Sequence, residues 1–147
     1  GACYPEVHPQ AASAKDDLRN LCKKVSAGAD FLISQLFFDN QKFFDFEWRA
    51  TGAGIAVPIV PGIMPITSAA GVRRMLALGG GSLPPELESE LARVADDDEA
   101  TQELGVRWAT RQCRELLDHG VPGIHFYTLN RSPATRRIYR SLFPDRS

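Results

Sequence analysis

A parallel α/β fold is predicted by three features of this 147-residue chain. Short apolar runs recur at residues 31–38, 57–60 and 123–129, and helical periodicity fills the intervals between them. Gly, Pro, Ser and Asp punctuate the joins. A strand covered on both faces reads as a continuous hydrophobic run, and strands linked through helices cross over with one hand and pair in parallel.

The elements follow in order. Gly1-Ala2-Cys3-Tyr4-Pro5 reads as the end of a strand, with a turn at 5–9. Ser13 caps a helix that carries Leu18, Leu21, Cys22 and Val25 and stops at Gly28. The strand at 31–38 comes next, and Asp39 or Asn40 caps a helix with Phe43, Phe44, Phe46 and Trp48, ended by Gly52-Ala53-Gly54. A strand at 57–60 runs into Pro61-Gly62-Ile63-Met64-Pro65. Thr67 or Ser68 then caps a helix through Val72, Met75 and Leu76, which the glycines at 79–81 terminate. Helices at 84–95 and 99–119 follow, the second amphipathic through Leu104, Trp108, Leu116 and Leu117. The last strand is 123–129, and Pro133 starts a final helix after Asn130, Arg131 and Ser132.

Four strands with covering helices make half of an eight-stranded (β/α)8 barrel, which takes about 200 residues or more. The chain is thus expected to be the C-terminal half of one barrel domain, residues 1–147, with the N-terminal part of a longer protein absent. A small doubly wound sheet competes, but it offers no reason for a chain to open at a strand's end.

Composition narrows the function. The formal charge is −1 with acids and bases mixed along the chain, so there is no electrostatic footprint for nucleic acid or an anionic membrane. A small-molecule partner fits better. Cys3, Cys22 and Cys113 form neither a metal-ligand pattern nor an even disulfide set, which suggests reduced thiols. No apolar stretch is long enough to span a bilayer, and a soluble, cytoplasmic protein is expected.

In a parallel barrel the chemistry lies at the carboxyl ends of the strands. Those ends carry Tyr4, Glu6 and His8; Gln35 and Asp39; Pro61 to Pro65; and Tyr127, Asn130 and Arg131. They include no nucleophile beside a base, no set of metal ligands and no phosphate loop, a pattern compatible with a redox cofactor that carries the reaction itself. Gln35 stands out as one amide set into an apolar run. An unpaired buried amide costs roughly 1–3 kcal/mol, so it either bonds to a neighbouring strand or meets a ligand. The structural reading is favoured on that run alone. His8 reads by default as a turn histidine bonded to backbone, Glu6 as a group satisfying nearby amides, and Lys23 and Lys24 as part of a solvated face. Arg131, near a helix start, is unfavourable to the helix dipole unless an anion accompanies it.

Four strand-end motifs carry a family resemblance: Tyr4-Pro5-Glu6-Val7-His8-Pro9, Ser34-Gln35-Leu36-Phe37-Phe38-Asp39, Pro61-Gly62-Ile63-Met64-Pro65-Ile66 and His125-Phe126-Tyr127-Thr128-Leu129-Asn130-Arg131. Together, in this order and at these separations, they resemble methylenetetrahydrofolate reductase from Gly1 to about Phe143. The resemblance implies a flavin-dependent (β/α)8 barrel of one-carbon metabolism and methionine supply. Such an enzyme reduces 5,10-methylenetetrahydrofolate to 5-methyltetrahydrofolate with FAD as cofactor and NADH or NADPH as reductant, as a homo-oligomer. It implies that Tyr4, His8, Ala11, Asp17, Asn20 and Lys24 hold FAD. It implies that Gln35 contacts pterin and nicotinamide carboxamide as the catalytic-site amide, and that Arg131 engages folate. Met75 and Gly71 depart from the family, standing where bacterial members place a phenylalanine and a folate-binding glutamine. The family's general-acid glutamate and its flavin-side aspartate belong to the absent half, so the isolated chain is expected neither to close a barrel nor to turn over substrate. Two other readings stay open at this point: a non-catalytic relative or fragment serving as a binding or assembly module, and another flavin barrel oxidoreductase with a different acceptor.

Overall fold

A computed structural model describes residues 1–79, 81–128 and 132–144. The order is β1 (Ala2–Cys3), α1 (Ala14–Ser26), β2 (Leu32–Ser34), α2 (Asn40–Gly52), β3 (Ile59–Val60) and β4 (Gly62–Ile63). There follow α3 (Ala69–Gly79), α4 (Pro85–Val94), α5 (Asp98–His119), β5 (His125–Phe126) and α6 (Pro133–Leu142). β1, β2 and β3 form a parallel sheet in that order, with Cys3 beside Ser34 and Ile33 beside Val60. β4 and β5 form a second parallel pair, with Gly62 beside His125. Pro61 separates β3 from β4. It has no N–H for a ladder, but its carbonyl accepts from the His125 N–H at 2.9 Å. One stretch of chain therefore serves β2 on one side and β5 on the other. The predicted α/β class with parallel strands is the observed one.

The caps explain where the helices start. Ser13 Oγ accepts from the Asp16 N–H, and the Asp39 carboxylate from the Gln41 N–H. Ser68 Oγ accepts from the Gly71 N–H at 3.1 Å, and Asp97 Oδ1 from the Ala100 N–H at 3.0 Å. α5 closes on Gly120 at φ 95°, a left-handed conformation suited to glycine. Acids in the first turn of α1 and lysines in its last turn both favour the helix dipole.

The strands are shorter than the apolar runs predict. Only Leu32–Ser34 of the 31–38 run is strand, and Phe31 is 49 % exposed. Beyond Gln35, whose N–H still donates to the Cys3 carbonyl at 2.7 Å, backbone groups are taken by side chains instead of a ladder. Gln35 Oε1 accepts from the Leu36 N–H at 3.0 Å, Gln112 Nε2 donates to the Phe37 carbonyl at 3.3 Å, and Trp108 Nε1 donates to the Phe38 carbonyl at 3.0 Å. The 57–60 and 123–129 runs likewise contract to Ile59–Val60 and His125–Phe126, with Leu129 outside the described residues. Coverage on both faces is also corrected. Cys3, Leu32, Ser34 and Ile59 are buried beneath the helices, whereas Ala2 is exposed and Ile33 and Val60 are half-buried on the other face.

Two apolar clusters hold the helices to the sheets. Leu32, Phe37, Phe43, Ile59, Cys113 and Leu116 belong to the first, and Leu36, Phe38, Met64, Ile66, Leu87 and Trp108 to the second. The adjacent pair Phe37 and Phe38 thus splits between them, and α5 reaches both. At Gly105, α5 lies so close to the loop after β4 that a Cβ would stand 1.9 Å from the Ile66 carbonyl oxygen. Among the described residues no helix is long and apolar enough to cross a membrane.

Gly105→Ala should lower stability by at least ~2 kcal/mol through overpacking against backbone, measured by urea denaturation. Gly52→Ala, where a Cβ meets nothing within 4 Å, should be neutral or mildly stabilising, and equal losses in the two variants would contradict the close approach.

Candidate functional site

The loop from β1 to α1 is built around one strained residue. Val7 has φ 77°, the one described residue other than glycine with positive φ. A β-branched side chain there costs on the order of 1–3 kcal/mol, and such strain persists only where neighbours enforce it. On one side of Val7, the His8 N–H donates to Asp17 Oδ2 at 3.0 Å, which ties the loop to α1. On the other side, Glu6 accepts from Lys42 Nζ at 2.6 Å and from Ser82 Oγ at 2.7 Å. His8 Nδ1 accepts from the Gln10 N–H at 3.0 Å, so in the neutral ring the proton resides on Nε2. The backbone-bonded histidine and the amide-satisfying glutamate expected from sequence are both present.

Tyr4 meets His8 edge-on, with ring centroids 4.4 Å apart. Both line a cavity of about 320 Å³ between the end of β1 and α1. Ala11, Asp17, Asn20 and Lys24 line the same cavity, so all six residues predicted to hold FAD are brought together. Asp17, Asn20 and Lys24 share a helix face through their spacing of three and four. Lys24 is partly engaged already, with Nζ donating to the Ala2 carbonyl at 2.6 Å. Lys23 and Lys24 are both exposed, as the solvated-face reading expects.

A second cavity of about 330 Å³ opens beside α3. Met75, Gly71, Pro65 and Ile66 line it together with Tyr127 and Thr128 from the end of β5. A Cβ on Gly71 would lie 2.7 Å from the Ser68 Oγ that caps α3. Gln35 does not line this cavity. It lies in a narrow cleft of about 10 Å³, room for roughly one water, with Tyr4, Glu6, Val7, Gly79 and Gly81. A Cβ on Gly79 would stand 3.2 Å from Gln35 Nε2. Gly71, Met75 and Gly79 succeed one another at intervals of four on α3, each step advancing about 6 Å along the axis. One helix face thus runs from the second cavity to the Gln35 cleft. Arg131, the other residue predicted to meet folate, lies outside the described residues, as does Asn130.

Sequence reasoning passed over Ser34 and undervalued Tyr127. The Tyr127 hydroxyl donates to the Ser34 carbonyl at 2.9 Å, and Ser34 Oγ accepts from the Gly62 N–H at 2.8 Å. A Cβ on Gly62 would meet the Ser34 carbonyl oxygen at 2.3 Å and the Tyr127 ring at 2.5 Å. Burial, with smaller contributions from Cys3 and Tyr4, raises the Tyr127 hydroxyl above its ordinary pKa and keeps it a donor. The glycine between Pro61 and Ile63 was the available signal, since a glycine inside a strand marks close backbone approach.

Burial also pushes the Cys3 and Cys113 thiols up from 9.0 to about 12, with Lys24 partly opposing the rise at Cys3. Because the folded pKa exceeds the unfolded one, their contribution to stability is complete below about pH 9 and is lost as the pH climbs towards about 12. At about pH 8, iodoacetamide should modify the half-buried Cys22 and spare the other two until the protein is denatured. Rapid labelling of Cys3 in the native protein would contradict its buried placement.

Comparison with known proteins bears on the family of the chain. The family model for methylenetetrahydrofolate reductase matches residues 1–143. A probable NADPH-dependent methylenetetrahydrofolate reductase of Caenorhabditis elegans is 42 % identical over 142 residues, covering 96 % of this chain and 21 % of the relative. The 5,10-methylenetetrahydrofolate reductase of Escherichia coli K12 is 38 % identical over 141 residues, covering 96 % of this chain and 48 % of the relative. The chain therefore spans between about a fifth and a half of the length of these curated relatives. A solved structure of an uncharacterized protein from Clostridium thermocellum that binds two copies of 5-methyl-5,6,7,8-tetrahydrofolic acid matches with a TM-score of 0.56 at 20 % identity. It covers 95 % of this chain and 50 % of its own, and supports the fold. With the family model matched over nearly its whole length, this chain belongs to the methylenetetrahydrofolate reductase family.

Proposed function

We propose that the protein carrying this chain is an FAD-dependent reductase that converts 5,10-methylenetetrahydrofolate to 5-methyltetrahydrofolate with NADH or NADPH, and that residues 1–147 form the C-terminal half of its (β/α)8 barrel. The observation that carries the reading is the convergence of Tyr4, His8, Ala11, Asp17, Asn20 and Lys24 on one cavity at a strand's carboxyl end. Names of the relatives specify NADPH in the C. elegans protein and NADH in an Arabidopsis thaliana relative 41 % identical over 138 residues. The half-barrel reading is supported by the all-parallel pairing and by the half-exposed sheet face, which another set of strands and side chains would cover.

The donor set fits an FAD molecule. Lys24 supplies a cation, Asn20 an amide, Asp17 a carboxylate held against the His8 backbone, and Tyr4 a flat ring near the end of β1. When bound, FAD would supply the two-electron chemistry that takes hydride from the nicotinamide and delivers it to the folate methylene. The remaining work belongs to the chain. Gln35 Oε1 is held by the Leu36 N–H, which leaves Nε2 as a donor for an acceptor on pterin or on a carboxamide. Met75 offers a thioether that packs against a flat ring without demanding one stacking angle. Arg131 would bind a folate carboxylate through paired guanidinium donors. The general-acid glutamate and the flavin-side aspartate would come from the other half of the barrel, and for that reason this chain alone should be inactive.

The decisive experiment is spectroscopic. The full-length protein should purify yellow, bleach with NADH or NADPH, and recover its colour on addition of methylenetetrahydrofolate. Absence of bleaching with either nucleotide would sink the enzyme reading. Gln35→Glu should slow the folate half-reaction by about 10–100-fold while leaving flavin content unchanged, since it swaps a donor for an anion at constant size. Loss of flavin from that variant would make Gln35 a structural amide instead.

A further inference from the structure

We propose that Lys42 and Ser82 are positioning residues that clamp Glu6, and that this clamp holds Val7 in its left-handed conformation so that the loop presents Tyr4 and His8 to the flavin. The proposal rests on the FAD reading given above and concerns Glu6, Lys42 and Ser82, which lie outside the flavin cavity that Val7 helps to line.

The clamp is a closed triangle. Lys42 Nζ donates to Glu6 Oε2 at 2.6 Å and to Ser82 Oγ at 2.7 Å, while Ser82 Oγ donates to the same Oε2 at 2.7 Å. The Ser82 N–H adds a bond to Glu6 Oε1 at 3.2 Å, so both carboxylate oxygens are engaged. The three residues come from separate parts of the chain: the loop after β1, the first turn of α2, and the segment after α3. Glu6 keeps only 13 % of its side-chain exposure and Lys42 keeps 40 %, so the pair is screened less than a fully exposed surface ion pair.

Its position gives the clamp a consequence. Glu6 and His8 flank Val7, and each is fixed to a different element: Glu6 to α2 and Ser82, His8 through its N–H to Asp17 of α1. The φ of 77° at Val7 is the conformation that these two anchors impose on a residue whose own preference is elsewhere. Release of either anchor lets Val7 relax, and the loop carrying Tyr4 and His8 turns with it. Glu6 and Tyr4 also line the Gln35 cleft. The same clamp therefore sets the loop's place between the amide proposed to meet folate and the cavity proposed to hold FAD.

The test uses the full-length protein, with FAD affinity read from flavin fluorescence and loop opening read from hydrogen exchange at the His8 amide. Lys42→Met should weaken FAD binding about tenfold, the scale of a partly buried charge-assisted bond, and Lys42→Arg should restore it to within about threefold. In a Val7→Gly background, where left-handed φ carries no strain, Lys42→Met should weaken binding by less than about threefold. Equal weakening in both backgrounds, or none in either, overturns the clamp. If Lys42→Met fails to fold, Ser82→Ala should show the same dependence on Val7 at reduced size, and its absence overturns the clamp equally. A full-length protein that holds no FAD would defeat the functional reading alone. In that case faster exchange of the His8 amide in Lys42→Met supports the clamp, and unchanged exchange overturns it.

Discussion

The two sheets meet at Ser34, and the arrangement of the strand ends depends on that junction. Pro61 interrupts the third strand and removes a ladder donor just where the chain must pass from one partner to another. Ser34 bridges the break with its side chain, accepting from the Gly62 N–H while its carbonyl takes the Tyr127 hydroxyl. A buried backbone N–H left without a partner costs about 1–3 kcal/mol, so the hydroxyl replaces a bond the ladder cannot form. Gly62 is required because the Ser34 carbonyl and the Tyr127 ring occupy the space of any Cβ. Three strands are thereby fixed at one level, immediately before Gln35.

Beyond Gln35 the chain leaves the ladder under the control of α5. Trp108 and Gln112 take the Phe38 and Phe37 carbonyls, and Gln112 Nε2 also donates to Asn40 Oδ1 at 3.1 Å. Asn40 in turn donates to the Gln112 carbonyl and to the Oε2 of the exposed Glu115, closing a polar network around the start of α2 that is buried at Asn40 and Gln112. Buried amides in a fully satisfied network specify one conformation, because any other leaves some of them unpaired. This network, with Phe37 and Phe38 inserted into separate clusters, holds the strand end that bears Gln35. The role proposed for Gln35 would need such rigid support, since misplacement of a reacting group by about 1 Å can cost two orders of magnitude in rate.

Most of the fold was legible because its signals are local. Ser13, Asp39 and Gly120 act at helix ends through bonds spanning a few residues, and each was readable from its neighbours. The strand lengths were not, because hydrophobicity reports burial and not pairing. Phe37 and Phe38 are as buried as any strand residue, yet their carbonyls are claimed by side chains some 70 positions away, which no periodicity reveals. The cavity lining was legible only through family resemblance, since Tyr4, Ala11 and Lys24 share no spacing that would single them out. The Lys42–Glu6–Ser82 triangle was hidden for the same reason as the carbonyl clamps: its members are distant in sequence and individually ordinary.

Gly71, Met75 and Gly79 lie on successive turns of α3. Ser68 caps this helix, and a Cβ at position 71 would lie 2.7 Å from its hydroxyl, a side-chain atom that can turn aside. Met75, one turn on, then faces a wider cavity than a side chain at 71 would leave, and an unbranched thioether can adjust to fill it. A further turn on, Gly79 permits α3 to end against Gln35 where even a methyl group would press on Nε2. The same helix face therefore borders the second cavity at 71 and 75 and approaches the Gln35 amide at 79.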